Sequence, residues 1–89
     1  MLHSDFKKGI YLVTTTEKDK SHAYKLAEEL LKRKLIACVQ FKNIESRFWW
    51  QGKINHSEEV YLIFKCLEEN INAVCKKISE IHTYEVPEI

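Results

Sequence analysis

Ile10, Tyr11, Leu12 and Val13 make an apolar run that ends in Thr14, Thr15 and Thr16. Branched and aromatic residues in continuous sequence predict a strand buried on both faces. Thr16 can then cap a helix, with Asp19 three residues on as an imperfect capping box. Ala23, Leu26, Ala27, Leu30 and Leu31 share one helical stripe, and Lys25, Glu28, Glu29, Lys32 and Arg33 share the other. That spacing predicts a solvated amphipathic helix ending near Lys34. Leu35 to Val39 is apolar again, and the pattern continues through Gln40, Phe41 and Lys42 to Phe48, Trp49 and Trp50, with Asn43 as a candidate bulge or bend. Gln51-Gly52 is a hairpin signal, weaker than Asn-Gly. Ile54 opens the return strand, whose buried half is Val60 to Phe64. The result is a long two-stranded ribbon from about Ala37 to Lys65. Ile71, Val74, Cys75, Ile78 and Ile81 predict a second amphipathic helix, and Tyr84, Val86 and Ile89 a short last strand that Pro87 confines to an edge or boundary.

The predicted order is strand, helix, strand, strand, helix, strand. Two βαβ units split by a hairpin give an α+β, ferredoxin-like βαββαβ sandwich, with an antiparallel sheet and both helices on one face. The other face has no helix to cover it and must meet water or another subunit. Its aromatic content favours a subunit.

A chain of 89 residues is one domain, residues 1–89, and a domain of this size buries only a modest core. Fourteen basic and thirteen acidic residues leave a net charge of +1, which argues against a nucleic-acid partner. No apolar run approaches the ~20 residues of a membrane helix, and the first residues do not form a signal peptide. Three cysteines, Cys38, Cys66 and Cys75, without C-x-x-C spacing read as reduced thiols in a cytoplasm.

Signals of catalysis are absent: no phosphate loop, no H-E-x-x-H and no G-x-S-x-G, so a non-enzymatic role is expected. Cys75 lies on the core stripe. Cys38 is either a small buried hydrophobe or a soft metal ligand. His82 ends the second helix. It is either a histidine favoured there by the helix dipole or, with Glu88 six positions on, part of a divalent-metal site needing a third donor. His3, His22 and His56 read as surface. Of the adjacent pair Trp49-Trp50, one is expected to face inward and the other outward as a subunit contact.

Several segments together resemble one family. Leu35-Ile36-Ala37-Cys38-Val39 is similar to an L-A-A-C-V strand, and Ser46 to Ile54 to an S-x-Y-x-W-E-G-K-I hairpin. Glu59 to Lys65 is similar to an E-x-x-L-x-x-K strand, and His82 to Ile89 to an H-P-Y-x-x-P-E-I segment. These are the motifs of the CutA family of divalent-cation tolerance proteins, and the resemblance runs from about Ile10 to Ile89. It implies a tight homotrimer akin to the PII signalling proteins, and a link to copper and other divalent cations. The metal residues it implies are His82 and Glu88, and Cys38, from the reading of the residues above, is a further candidate soft donor. No cofactor is required, and copper(II) or another divalent cation is the expected ion. The alternative is a PII-like signalling or scaffold module that binds a small anion or a partner protein in its inter-subunit clefts. Trp50, Arg47, Lys65 and Tyr84 are the candidates for such a cleft or for subunit contacts. Thr83 and Gln51 replace the motif's proline and glutamate, and the first strand carries Val13 and Thr14 where some members have a cysteine. Family members usually continue past P-E-I with more strand, a G-x-x-x-Y-x-x-W stretch and a terminal helix, which are not expected here.

Overall fold

The computed structural model describes residues 9–83 and 88–89. Strand β1 (Ile10–Glu17) leads into helix α1 (Lys20–Lys32). Strands β2 (Cys38–Trp50) and β3 (Lys53–Leu67) form the ribbon, and a 3-10 turn (Glu68–Asn70) opens helix α2 (Ile71–Ile81). The sheet is antiparallel in the order β1-β3-β2. Tyr84 and Val86 of the expected last strand, with Pro87, lie outside the described residues.

Alternation along β3 sets the layers. Val60, Leu62, Phe64 and Cys66 are buried, and they join Val13 of β1, Ala23, Leu26, Ala27 and Leu30 of α1 and Val74 and Ile78 of α2 in one core. Both helices therefore lie on one face of the sheet, and the fold is α+β and ferredoxin-like. Tyr61, Ile63, Lys65 and Leu67 point the other way and are half-buried, and Leu12 beside them is exposed.

The turn of the ribbon is legible in its residues. Gln51 and Gly52 have φ of 52° and 77°, the two positive angles of a type I′ hairpin turn. Trp50 faces Lys53 across it, and pairing then runs without a break to Cys38 opposite Lys65. Asn43 faces Val60 in this ladder, so no bulge forms there. The last six residues of β2 and the first six of β3 run past the helices as a free arm about 20 Å long. This arm gives the molecule its 47 × 22 × 21 Å shape.

The start of α1 differs from the expectation. β1 continues through Glu17, Thr16 stays in the strand, and Asp19 is the N-cap, accepting from the His22 N–H at 2.9 Å. Asp19 also meets the His22 ring Nδ1 at 2.7 Å. The bond from the His22 backbone N–H is the main cause that lowers the Asp19 pKa from its ordinary value. A carboxyl with a lowered folded pKa contributes stability above the unfolded value of ~3.9 that is lost as pH falls through the folded one. Asp19→Asn keeps a capping oxygen without the charge. The gap in Tm between wild type and this variant is therefore expected to be steady near neutrality and to narrow below pH ~4. A gap independent of pH down to 2 would remove the charge from the explanation. At the other end Lys34 has φ 57° and its N–H donates to the Leu31 carbonyl, so the helix stops at Lys32.

Candidate functional site

The only acidic or histidine side chains buried among the described residues sit together at the end of β1. Glu17 follows Val13 and Thr15 at strand spacing, which places its carboxylate on the core side of the sheet. Its side chain is 1% exposed and that of His82 is 0% exposed. Glu17 Oε1 accepts from the Lys18 N–H at 2.9 Å and from the Thr83 hydroxyl. Oε2 accepts from the Thr83 N–H at 3.2 Å and lies 3.6 Å from His82 Nδ1. The other ring nitrogen of His82, Nε2, meets the carbonyl oxygen of Thr16. A carbonyl only accepts, so Nε2 carries a hydrogen. Next along β1, the Thr15 hydroxyl donates to the backbone carbonyl of Glu88. Three successive residues of β1 thus hold the chain that follows α2, and the polar groups brought inside are satisfied.

This cluster bears on the expected metal donors. His82 and Glu88 do come to one stretch of β1, but by a ring turned inward and by a backbone carbonyl. The Nε2–H of His82 has no lone pair for a metal and Nδ1 faces the buried Glu17 Oε2 at 3.6 Å, whereas Glu88 as a residue is exposed. Cys38 lies elsewhere. It faces Lys65, three residues along β3 from the partner of Thr15, and it is two strands away from β1. About 10 Å across and about 10 Å along separate the two backbones. Cys38 also shares the open face with Lys65, opposite to Glu17. Donor atoms bind zinc at about 2.0–2.3 Å, so within one chain Cys38 does not meet His82 and Glu88 on one ion. Among the described residues no group of three or more His, Cys, Asp or Glu side chains is placed to hold a metal.

The cleft candidates are also apart. Lys65 pairs with Cys38 in the body, and Arg47 lies nine residues further along β2 in the arm, about 30 Å away. Arg47 and Trp50 point to opposite faces of the ribbon. Tyr84 lies outside the described residues. A concavity of about 430 Å³ does lie at the base of the arm, lined by Lys18, Asp19, Asn43, Glu45, Glu58 and Glu59 among others. Glu45 and Glu58 face each other across the strands, and His56 Nε2 approaches Glu45 at 3.4 Å.

The arm carries four of the exposed large apolar side chains among the described residues. Trp49 is 72% exposed, Trp50 60% and Ile54 62%, with Phe48 also open. The expectation that one tryptophan faces inward is corrected here: the arm extends past the helices, so neither of its faces has a layer to meet. Trp49 and Ile54 are register partners on one face, and Phe48 and Trp50 lie on the other.

Glu17 and Thr83 were not singled out from the sequence. The available signal was the period of two from Val13 through Thr15, which carries Glu17 to the core face once the strand is extended by one residue.

The CutA1 divalent ion tolerance protein family model matches residues 11–89. The divalent-cation tolerance protein CutA of Thermococcus kodakarensis is 40% identical over 78 residues, 88% of this chain and 75% of that protein. Its counterpart from Pyrococcus horikoshii is 38% identical over 88% of this chain and 76% of that protein. Among solved structures, CutA from Synechococcus elongatus has a TM-score of 0.88 at 31% identity, covering 91% of this chain and 72% of that one. A structure described as the periplasmic divalent cation tolerance protein CutA from Archaeoglobus fulgidus has a TM-score of 0.86 at 33% identity, covering 89% and 78%. The shared fold, the long hairpin and a match that spans almost the whole chain place it in the CutA family of divalent-cation tolerance proteins.

Proposed function

We propose that this protein acts in divalent-cation tolerance as a homotrimer, without catalysing a reaction. The observation that carries the reading is the arm. A two-stranded ribbon alone is marginally stable in water, and this one presents aromatic or aliphatic side chains on both faces. Large aromatic side chains dominate the energetics of buried interfaces, so an arm inserted between neighbouring copies gains what an isolated one lacks. The sheet face opposite the helices, with Leu12 exposed, offers the neighbours a second apolar surface.

Light scattering tests this directly. The wild type is expected to weigh three times the 10.6 kDa chain. The double variant Trp49→Ala/Trp50→Ala is expected to lose trimer at micromolar concentration. A stable folded wild-type monomer at that concentration would overturn the reading.

The proposed ligand is copper(II) or another divalent cation. Glu88 is the exposed candidate donor, and its companions come from a neighbouring copy. His82 is turned inward to the Thr16 carbonyl, and the Thr15 hydroxyl holds the backbone carbonyl of Glu88. Calorimetric titration of copper(II) into wild-type and Glu88→Gln protein is expected to show weaker binding by the variant. Equal affinities would remove Glu88 from the site. Three free thiols suit a reducing compartment, and we place the protein in the cytoplasm, unlike the relative described as periplasmic.

A further inference from the structure

The arm separates its charges by position. Lys53, next to the turn, is an exposed cation, and Glu58, at the arm's base, is an exposed carboxylate. Among the described residues neither has an ion-pair partner. They do not meet within one chain. Strand geometry sets them about 17 Å apart, and their odd spacing puts the two side chains on opposite faces of the ribbon.

The surroundings of the two charges match. Lys53 faces Trp50 across the turn, so the tip presents an ammonium beside an indole that is 60% exposed. Glu58 lines the concavity of about 430 Å³ at the arm's base. The carboxylates of Asp19, Glu45, Glu58 and Glu59 outnumber the ammonium groups of Lys18 and Lys20 in that lining, and Ile44 gives it an apolar part. Asp19, Glu45 and Glu59 already have partners, which leaves Glu58 to receive a cation. Tip and base are different patches of one chain. A contact between them is heterologous: each copy uses its tip on the next and its base on the previous one, and the series closes as a ring.

We propose that the tip of each arm docks in the concavity at the arm base of the next copy, with Lys53 on Glu58 and Trp50 against Ile44. The contact rests on the homotrimer reading and names the surfaces that make it. One exposed ion pair contributes little, but three act together in the ring, and like charges placed there oppose its closure.

The test exchanges the two charges. Both residues are exposed, so neither substitution disturbs the core. Lys53→Glu and Glu58→Lys each put like charges at all three contacts. Each is expected to weaken the trimer at least about tenfold, read by analytical ultracentrifugation over a dilution series at low salt. Lys53→Gln, which only removes the charge, should fall between wild type and Lys53→Glu. The double variant Lys53→Glu/Glu58→Lys restores opposite charges and is expected to recover most of the loss. Far-ultraviolet circular dichroism of each variant is expected to match the wild type. Association of both single charge reversals equal to wild type, or a double variant as weak as the singles, would overturn the contact and leave the trimer reading standing. A wild type that stays monomeric across the series would overturn both.

Discussion

Leu30→Ala and Ile78→Ala are each expected to destabilise the protein by about 2–5 kcal/mol. Both side chains are fully buried, one from each helix, in the core that also contains Leu62 and Phe64 of the central strand. Truncation removes apolar contact and leaves a cavity, because the sheet and two short helices cannot close over it without losing contacts elsewhere. A domain of this size has about 5–15 kcal/mol of stability in total, so either change consumes a large fraction of it. Leu31→Ala is the control. Its periodicity also put it on the apolar stripe, but it is 43% exposed, and its loss is expected to stay below about 1 kcal/mol. Urea unfolding at one fixed protein concentration measures all three, since subunit association makes stability depend on concentration. Losses below about 1 kcal/mol for both buried positions would mean that the helix faces are wrongly assigned.

The arrangement of elements was legible because two periods alternate along the chain. The stripe from Ala23 to Leu30 and that from Val74 to Ile78 have helical spacing. The alternation from Val60 to Cys66 has that of a half-covered strand. Gln51-Gly52 marked the turn, and the ladder on either side of it followed. Local signals misled where tertiary context decided between them. Thr16 and Asp19 are both good caps, and the strand won Thr16 because its ladder with Tyr61 continues one residue further, to Glu17 opposite Val60. Trp49 and Trp50 obey the strand period, but a period shows which residues share a face and not whether that face is covered. The candidate site was half legible. His82 stood out from the sequence at the end of a helix. Its partner Glu17 did not, because a glutamate after three threonines resembles a solvated charge. Glu17 and His82 are sixty-five positions apart in the sequence, and only the fold brings them together.

Glu17→Ala is expected to cost about 3–5 kcal/mol, the range for removing one member of a buried charged or hydrogen-bonded pair. The alanine leaves the N–H groups of Lys18 and Thr83 and the Thr83 hydroxyl without the oxygens they now donate to. It also removes the carboxylate beside His82 Nδ1. Lys18 and Thr83 are exposed residues, so their freed donors turn to water and each lost bond costs about 0.5–1.5 kcal/mol. Glu17→Gln should fall between wild type and alanine. Its amide has one acceptor oxygen in place of two, so if that oxygen serves Lys18 and the Thr83 hydroxyl, an NH2 group faces the Thr83 N–H. His82→Ala breaks the contact with Thr16 and opens a cavity, and it leaves Glu17 buried without the imidazole. The double variant Glu17→Ala/His82→Ala is therefore expected to lose less than the sum of the single losses, by about 0.5–3 kcal/mol. Denaturant unfolding of the four proteins at one concentration closes this cycle. Additive losses would mean that Glu17 and His82 act on separate groups. A coupled pair would mean that His82 is held to the end of β1 by Glu17 as well as by the Thr16 carbonyl.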